Sequence, residues 1–324
     1  MKNWLLVLAM LFLIASCGAP APTATRLPAS TPPPISMSDA VATLAPDRPT
    51  IPRPSVVPLT MVAPLNPDAP GGYLVEDRFY SRLLGEQMPI LLYLPPGYFE
   101  STRRYPVLYM LSGFSGDYRE WATYGLGDVI DALIRGGQIP PMMIAMPEGA
   151  KSWWMNHAPP PASDGKRWGD YVVQEVVGFV DANYRTLPRR TSRAVGGLSA
   201  GGQSALMFAL THPEVFSVAG AHSPSLRTAD GSVAAFGDEI YFRQYDPVWL
   251  LKNTTTWKQV AIWIDIANND TQWGDAIHDF HKTLDALGVA HEFRDQWEGK
   301  HDSDYWATRL PDYLQWYSSK LVRE

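Results

Sequence analysis

The sequence predicts an α/β fold, a mostly parallel central sheet with an antiparallel N-terminal start and helices on both faces. Three observations carry this. Short, fully apolar runs such as Val107–Leu111 and residues 142–146 are of the kind buried on both sides of a sheet. They alternate with stretches of helical period. Ahead of them, residues 73–80 and 88–94 read as two strands joined by a Gly85-Glu86 turn, an antiparallel hairpin.

The chain of 324 residues opens with Lys2 and an apolar stretch from Trp4 to Ile14, too short to span a bilayer comfortably. Residues Ile14-Ala15-Ser16-Cys17 follow, and Cys17 is the single cysteine, so no intrachain disulfide is available. This resembles a bacterial lipoprotein signal with Cys17 as the lipidated residue, so residues 1–17 are expected to be a signal peptide. A diacylated cysteine would hold the chain on a membrane stably and place it outside the cytoplasm. Residues 18–70 then carry about half of the 29 prolines, mixed with Ala, Thr and Ser and without hydrophobic period. They are expected to be a disordered linker, with a reach of up to ~150 Å at ~3.1 Å per residue.

Residues 71–324 are expected to form one folded domain. Residues 129–134 make a helix that Gly136-Gly137 ends. From about residue 168 to 184, Val172, Val176 and Val180 lie four apart and Val173 and Val177 extend the same face, so helical period overrides the strand propensity of valine. Residues 216–221 and 260–266 read as strands. Ile277, Phe280, Leu284 and Leu287 mark a helix that Gly288 caps. His291–Trp297 is the last strand and 305–321 the last helix.

The chemistry centres on Gly197-Leu198-Ser199-Ala200-Gly201-Gly202. An apolar run, 194–198, precedes this turn and a buried-helix pattern, 204–210, follows it. Strand, sharp turn and helix are the context in which Gly-x-Ser-x-Gly presents a nucleophile. Small neighbours admit the strained backbone, and the helix N-terminus supplies N–H groups for an oxyanion. Serine needs a base held by a carboxylate. Of seven histidines, His301 follows the last strand directly, at a carboxyl end of the sheet. Asp270 follows the strand 260–266 and is favoured as the acid over Asp265, which lies inside that apolar run. Ala200 and Phe114 are the expected N–H donors of the oxyanion hole, with Gly113 the second choice to Phe114. Trp121, Trp153, Trp154, Trp168 and Trp273 lie in or beside loops, and Trp121, Trp154 and Trp273 are taken as substrate-lining. His278 and His281 have a spacing that permits a metal pair, but no partner ligand is evident, and no metal or cofactor is expected.

Net charge is −6 and the pI about 5.7, which argues against nucleic acid as a partner. The sequence does not fix an oligomeric state.

Together, Tyr105-Pro106-Val107-Leu108-Tyr109-Met110-Leu111-Ser112-Gly113, Met146-Pro147-Glu148-Gly149, the serine turn, His212-Pro213-Glu214-Val215-Phe216 and Gly299-Lys300-His301-Asp302 resemble a family. It is the α/β-hydrolase esterases that include S-formylglutathione hydrolases, feruloyl and acetylxylan esterases, enterochelin-type esterases and mycolyltransferases. The resemblance covers nearly all of 71–324. It implies Ser199, Asp270 and His301 as a triad and a carboxylic ester, small or carbohydrate-linked, as substrate. Two departures stand out: Ser112-Gly113 replaces the commoner His-Gly, and Ala267-Asn268-Asn269-Asp270 replaces Gly-x-x-Asp. An acyltransferase using the same triad, or an inactive binding module on a stalk, are the alternative expectations.

Overall fold

The computed structural model describes residues 60–65 and 71–323. Residues 1–17, read above as a signal peptide with Cys17, and most of the proline-rich stretch lie outside the described residues. No described helix is long and apolar enough to cross a membrane.

Nine strands form one sheet in the order β1-β2-β3-β5-β4-β6-β7-β8-β9. Strands β1 (Thr60–Pro64), β2 (Tyr73–Ser81) and β3 (Glu86–Leu94) pair antiparallel, and β3 pairs antiparallel with β5 (Met143–Pro147). From β5 through β4 (Val107–Leu111), β6 (Arg193–Leu198), β7 (Val218–His222), β8 (Ala261–Ala267) and β9 (His291–Trp297) every pairing is parallel. The mostly parallel sheet with an antiparallel start is the architecture expected from the sequence.

One boundary moves. Strand β1 falls inside the 18–70 stretch read as linker. Thr60-Met61-Val62-Ala63 is short and β-prone but sits among prolines, which hide it from a compositional reading. An edge strand tolerates such neighbours because only one side of it must pair.

Alternation along β4 shows how both faces are covered. Val107, Tyr109 and Leu111 face one core, and Leu108 and Met110 the other. The helices on the described chain are α1 (Glu120–Thr123), α2 (Leu126–Arg135), α3 (Trp168–Asp170), α4 (Val177–Asn183), α5 (Ala200–Thr211), α6 (Glu239–Phe242), α7 (Pro247–Asn253), α8 (Gly274–Ala286) and α9 (Ser303–Lys320). The first core takes in α4, α5 and α8, the second α2 and α9. The helix expected over 168–184 is in three parts, because Tyr171–Val176 between α3 and α4 is wound as a π-helix. Val172, Val176 and Val180 are buried as their spacing predicts. The stretch 239–253, which shows no clear period, holds α6 and α7, each opened by an aspartate side chain, Asp238 or Asp246, that accepts a backbone N–H.

On the α9 face, Asp265 of β8 is the hub of a buried polar cluster. Its Oδ1 accepts from the Tyr305 hydroxyl at 2.7 Å and the Tyr313 hydroxyl at 2.9 Å. Its Oδ2 accepts from Trp263 Nε1 at 2.8 Å and pairs with Nδ1 of His222, its cross-strand neighbour on β7, at 2.6 Å. With Nδ1–H donating to the carboxylate, His222 Nε2 accepts from the Tyr317 hydroxyl at 3.0 Å. Burial, and then the charge of Asp265, push the Tyr305 and Tyr313 hydroxyls well above their usual range and keep them donors. Tyr317 reaches this cluster because Gly196 and Gly220 leave room for its hydroxyl, which occupies the space a Cβ would take on either residue.

Asp265→Asn places an NH₂ among donors that need an acceptor. The expected cost is about 2–4 kcal/mol of folding stability, to be read from denaturant unfolding. A variant as stable as the parent would show that the cluster does not hold β7, β8 and α9 together.

Candidate active site

Strand β6 ends at Leu198, and Ser199 turns the chain into α5 with φ 51° and ψ −116°. A non-glycine residue with that backbone is strained and persists only where its surroundings fix it. Here they do. Ser199 N–H donates to the His222 carbonyl at 3.0 Å, and the Ser199 carbonyl accepts from Ser225 N–H at 3.0 Å and Gln203 N–H at 3.1 Å. The flanking glycines are required by contact. A Cβ on Gly197 would lie 2.5 Å from the Gly201 carbonyl carbon, and one on Gly201 would lie 2.6 Å from the Leu111 and Ser112 carbonyl oxygens. The turn therefore seats itself on the end of β4.

Around this serine the structure gathers residues from three carboxyl ends of the sheet. His301, after β9, has Nε2 at 2.9 Å from Ser199 Oγ. Its Nδ1 lies 2.7 Å from Asp270 Oδ2, in the loop after β8. The Asp270 side chain is fully buried, while His301 keeps some exposure. Burial opposes ionisation of Asp270. The hydrogen bond and charge of His301, with the N–H groups of Trp273 and Gln272 on Oδ1, outweigh it and hold the carboxyl below its usual value. An ionised Asp270 takes the Nδ1–H, which leaves the Nε2 lone pair free to accept from Ser199. Asp265 does not reach this chain, since all its acceptor positions are filled in the buried cluster.

The loop after β4 supplies backbone donors. Gly113 N–H is bound to Glu120 Oε2 at 2.7 Å, and Gly116 lies so close to Glu120 that a Cβ would clash. Burial pushes the Glu120 carboxyl up, and the Gly113 N–H and Tyr124 hydroxyl hold it partly in check. Among the described residues, Phe114 N–H and Ala200 N–H donate to no group of the chain. With Gly113 engaged, these two remain for an oxyanion.

Two of the tryptophans read as substrate-lining are not. Trp121 is buried, with its indole N–H on the Leu111 carbonyl at 2.9 Å. Trp154 is buried as well, with its N–H on the Ser112 carbonyl at 3.0 Å. Both brace the end of β4 and the loop that carries Phe114. Each indole finds a carbonyl partner there, which holds α1 and the loop of Trp154 inward. Trp273 is half-buried just before α8. Trp153 is the ring that faces open space. It stacks on Phe114 at 4.6 Å between centroids, and the two line a cavity of about 480 Å³ with Lys151, Arg227, Ser232 and residues 233–235. Sequence reading missed Arg227, which lies in a loop without period or motif.

His281 does have ligand-type neighbours, though not His278. The ligand atoms of His281, Asp285 and His291 lie within 4.8 Å of one another. This group sits at the start of β9, the end of the strand opposite His301. It could hold a metal ion but is separate from Ser199.

The chain belongs to the esterase family, whose model, described as Esterase, matches residues 81–317. An esterase of Mycobacterium tuberculosis is 31% identical over 160 residues, 48% of this chain and 34% of the relative. An endo-1,4-beta-xylanase/feruloyl esterase of Xylanibacter ruminicola is 29% identical over 154 residues, 45% of this chain and 20% of the relative. The matches thus span 34% and 20% of these relatives. A solved ferulic acid esterase superposes with a TM-score of 0.69 at 24% identity, over 79% of this chain and 100% of that one. The fold is that of the α/β-hydrolase esterases.

Because the Asp270 carboxyl is held below its usual value of 3.8, its stabilising contribution is present above that pH and is lost as pH falls through the lower folded value. The Tm advantage of the parent over Asp270→Asn should therefore shrink between pH 7 and pH 2. A gap that stays constant across this range would show that Asp270 is not ionised by its partners.

Proposed function

We propose that this chain is a serine esterase acting outside the cytoplasm from a lipid anchor, and that it cleaves a carboxylic ester through an acyl-enzyme on Ser199. The observation that carries the reading is the continuous path from Asp270 Oδ2 through His301 to Ser199 Oγ, at 2.7 and 2.9 Å. As Ser199 attacks the ester carbonyl, its proton passes to His301 Nε2, and Asp270 stabilises the imidazolium. The oxyanion is met by the N–H groups of Ala200 and Phe114, both free to donate. His301 then hands its proton to the departing alcohol. Water repeats the sequence in reverse on the acyl-enzyme and releases the acid.

The stacked Phe114 and Trp153 give an aromatic wall beside the oxyanion loop. It favours an aromatic acyl group or a sugar alcohol, and the relatives named feruloyl esterase agree with such a substrate. The anchor rests on sequence: small residues precede Cys17, the single cysteine, after a short apolar segment. The proline-rich residues that follow would act as a stalk.

A panel of aryl, acetyl and long-chain esters tests the activity. Ser199→Ala should abolish turnover. Asp270→Asn should lower kcat by about 10⁴-fold with little change in KM, since it removes the group that orients His301 and not the substrate contacts. Near-normal kcat in either variant contradicts the assigned roles. Added acceptor alcohols separate hydrolysis from acyl transfer, with free acid the expected product. For the anchor, Cys17→Ser should abolish lipid incorporation, measured as partition into detergent. A variant that is processed and still partitions as the parent does would remove Cys17 from that role.

A further inference from the structure

The cavity beside Phe114 contains chemistry that the hydrolysis of a neutral ester does not call on. Arg227 lies half-buried on its wall, with its guanidinium carbon 5.1 Å from the Trp153 ring centroid and 5.2 Å from that of Trp273. Two indole rings therefore hold the cation in place. Among the described residues, its side chain makes no hydrogen bond or ion pair, and its Nε is buried without an acceptor. The Trp273 indole N–H is likewise buried and unpartnered. Lys151 adds a second cation to the lining, and no acidic residue lines the cavity. Asp230, three residues from Arg227, has its Oδ1 engaged by Ser232 N–H at 2.9 Å and Ser232 Oγ at 2.6 Å.

This cation is registered to the nucleophile. Arg227 N–H donates to Gln203 Oε1 at 2.9 Å, and Ser204 Oγ donates to the Trp153 carbonyl at 2.9 Å. Gln203 and Ser204 belong to the opening turns of α5, the helix that Ser199 heads. Phe114, on the same wall, carries the N–H assigned to the oxyanion. Lys151 and Trp153 are held at left-handed φ of 61° and 56°, a strained backbone that fixes the loop in this position. The chain as a whole carries net −6, so two cations in a cavity lined by no acidic residue run against the general charge of the molecule.

We propose that Arg227 is a specificity-determining residue that binds a carboxylate or like anionic group on the substrate, so that the preferred esters are acidic. The proposal rests on the serine esterase reading and adds the charge of the substrate to it. A planar carboxylate satisfies a guanidinium through paired, charge-assisted hydrogen bonds. It would pair with the Arg227 guanidinium from the cavity, under the field of Lys151.

The test uses the full chain and matched esters whose charge is capped by methylation. One pair, 4-nitrophenyl succinate and its methyl ester, places the carboxylate in the acyl part. The other, 4-carboxyphenyl acetate and its methyl ester, places it in the alcohol. In one arm the free acid should be preferred by about tenfold or more in kcat/KM. That ratio should collapse in Arg227→Gln, be largely kept in Arg227→Lys, and fall as salt is raised. Binding to Ser199→Ala, followed by tryptophan fluorescence, gives the same comparison without turnover, with and without Arg227→Gln. A preference for the capped ester in both arms, or a ratio and an affinity unchanged in Arg227→Gln, overturns the proposal. If the parent cleaves no ester while the free acid still binds through Arg227, the esterase reading fails and the anion site stands.

Discussion

The backbone of the serine turn lies against itself and against the end of β4, and this contact sets the geometry of everything around it. Gly197 and Gly201 have no room for side chains because each touches backbone. That closeness forces Ser199 into its left-handed conformation and points it out at the head of α5. The parallel neighbours of β6 then fix what can reach it. β4 contributes the loop with Phe114, β7 the carbonyl of His222, and β8 and β9 the loops with Asp270 and His301. Trp121 and Trp154 lock the β4 end by hydrogen bonds to two successive carbonyls, Leu111 and Ser112. The strain at Ser199 is thus held by two packed cores and by a ring of backbone contacts.

Two aspartates, five residues apart, show how the environment divides roles. Asp265 sits within β8, accepts from two tyrosines and a tryptophan, and pairs with His222. It forms a buried histidine–aspartate pair of its own, 2.6 Å long, but Nε2 of that histidine meets Tyr317 and no nucleophile. Asp270 leaves the strand before it turns, meets backbone N–H groups on one oxygen and His301 on the other, and so couples to a histidine with an open edge. The first pair ties β7, β8 and α9 together, and the second is free to move a proton.

Much of this was legible in the sequence because the relevant signals are local. A hairpin turn places β2 and β3, a fully apolar run places β4, and helical period places the valine row of 172–180. The Gly-x-Ser-x-Gly spacing reflects the backbone contact of Gly197 with Gly201, and the place of Asp265 inside an apolar run, with Asp270 in the loop after it, separates the two aspartates. What escaped depends on contacts between distant segments. Trp121 lies in the one-turn helix α1 and Trp154 in a loop, and only the fold shows that carbonyls at the end of β4 wait beneath them. Thr60–Pro64 pairs with residues 73–76 of the next strand, despite its prolines. The His222 cluster joins residues up to 95 apart. Arg227 gains its meaning from two tryptophans, 153 and 273, that are far from it in the chain.

The central claim is that Ser199, activated through His301, becomes covalently acylated. Mass spectrometry of the chain quenched during turnover of a slowly deacylating aryl ester measures this directly. The account predicts an increment equal to the acyl group, confined to the peptide containing Ser199 and absent in His301→Ala. An unmodified Ser199 peptide under conditions of steady hydrolysis, or an acyl group carried on another residue, would contradict it.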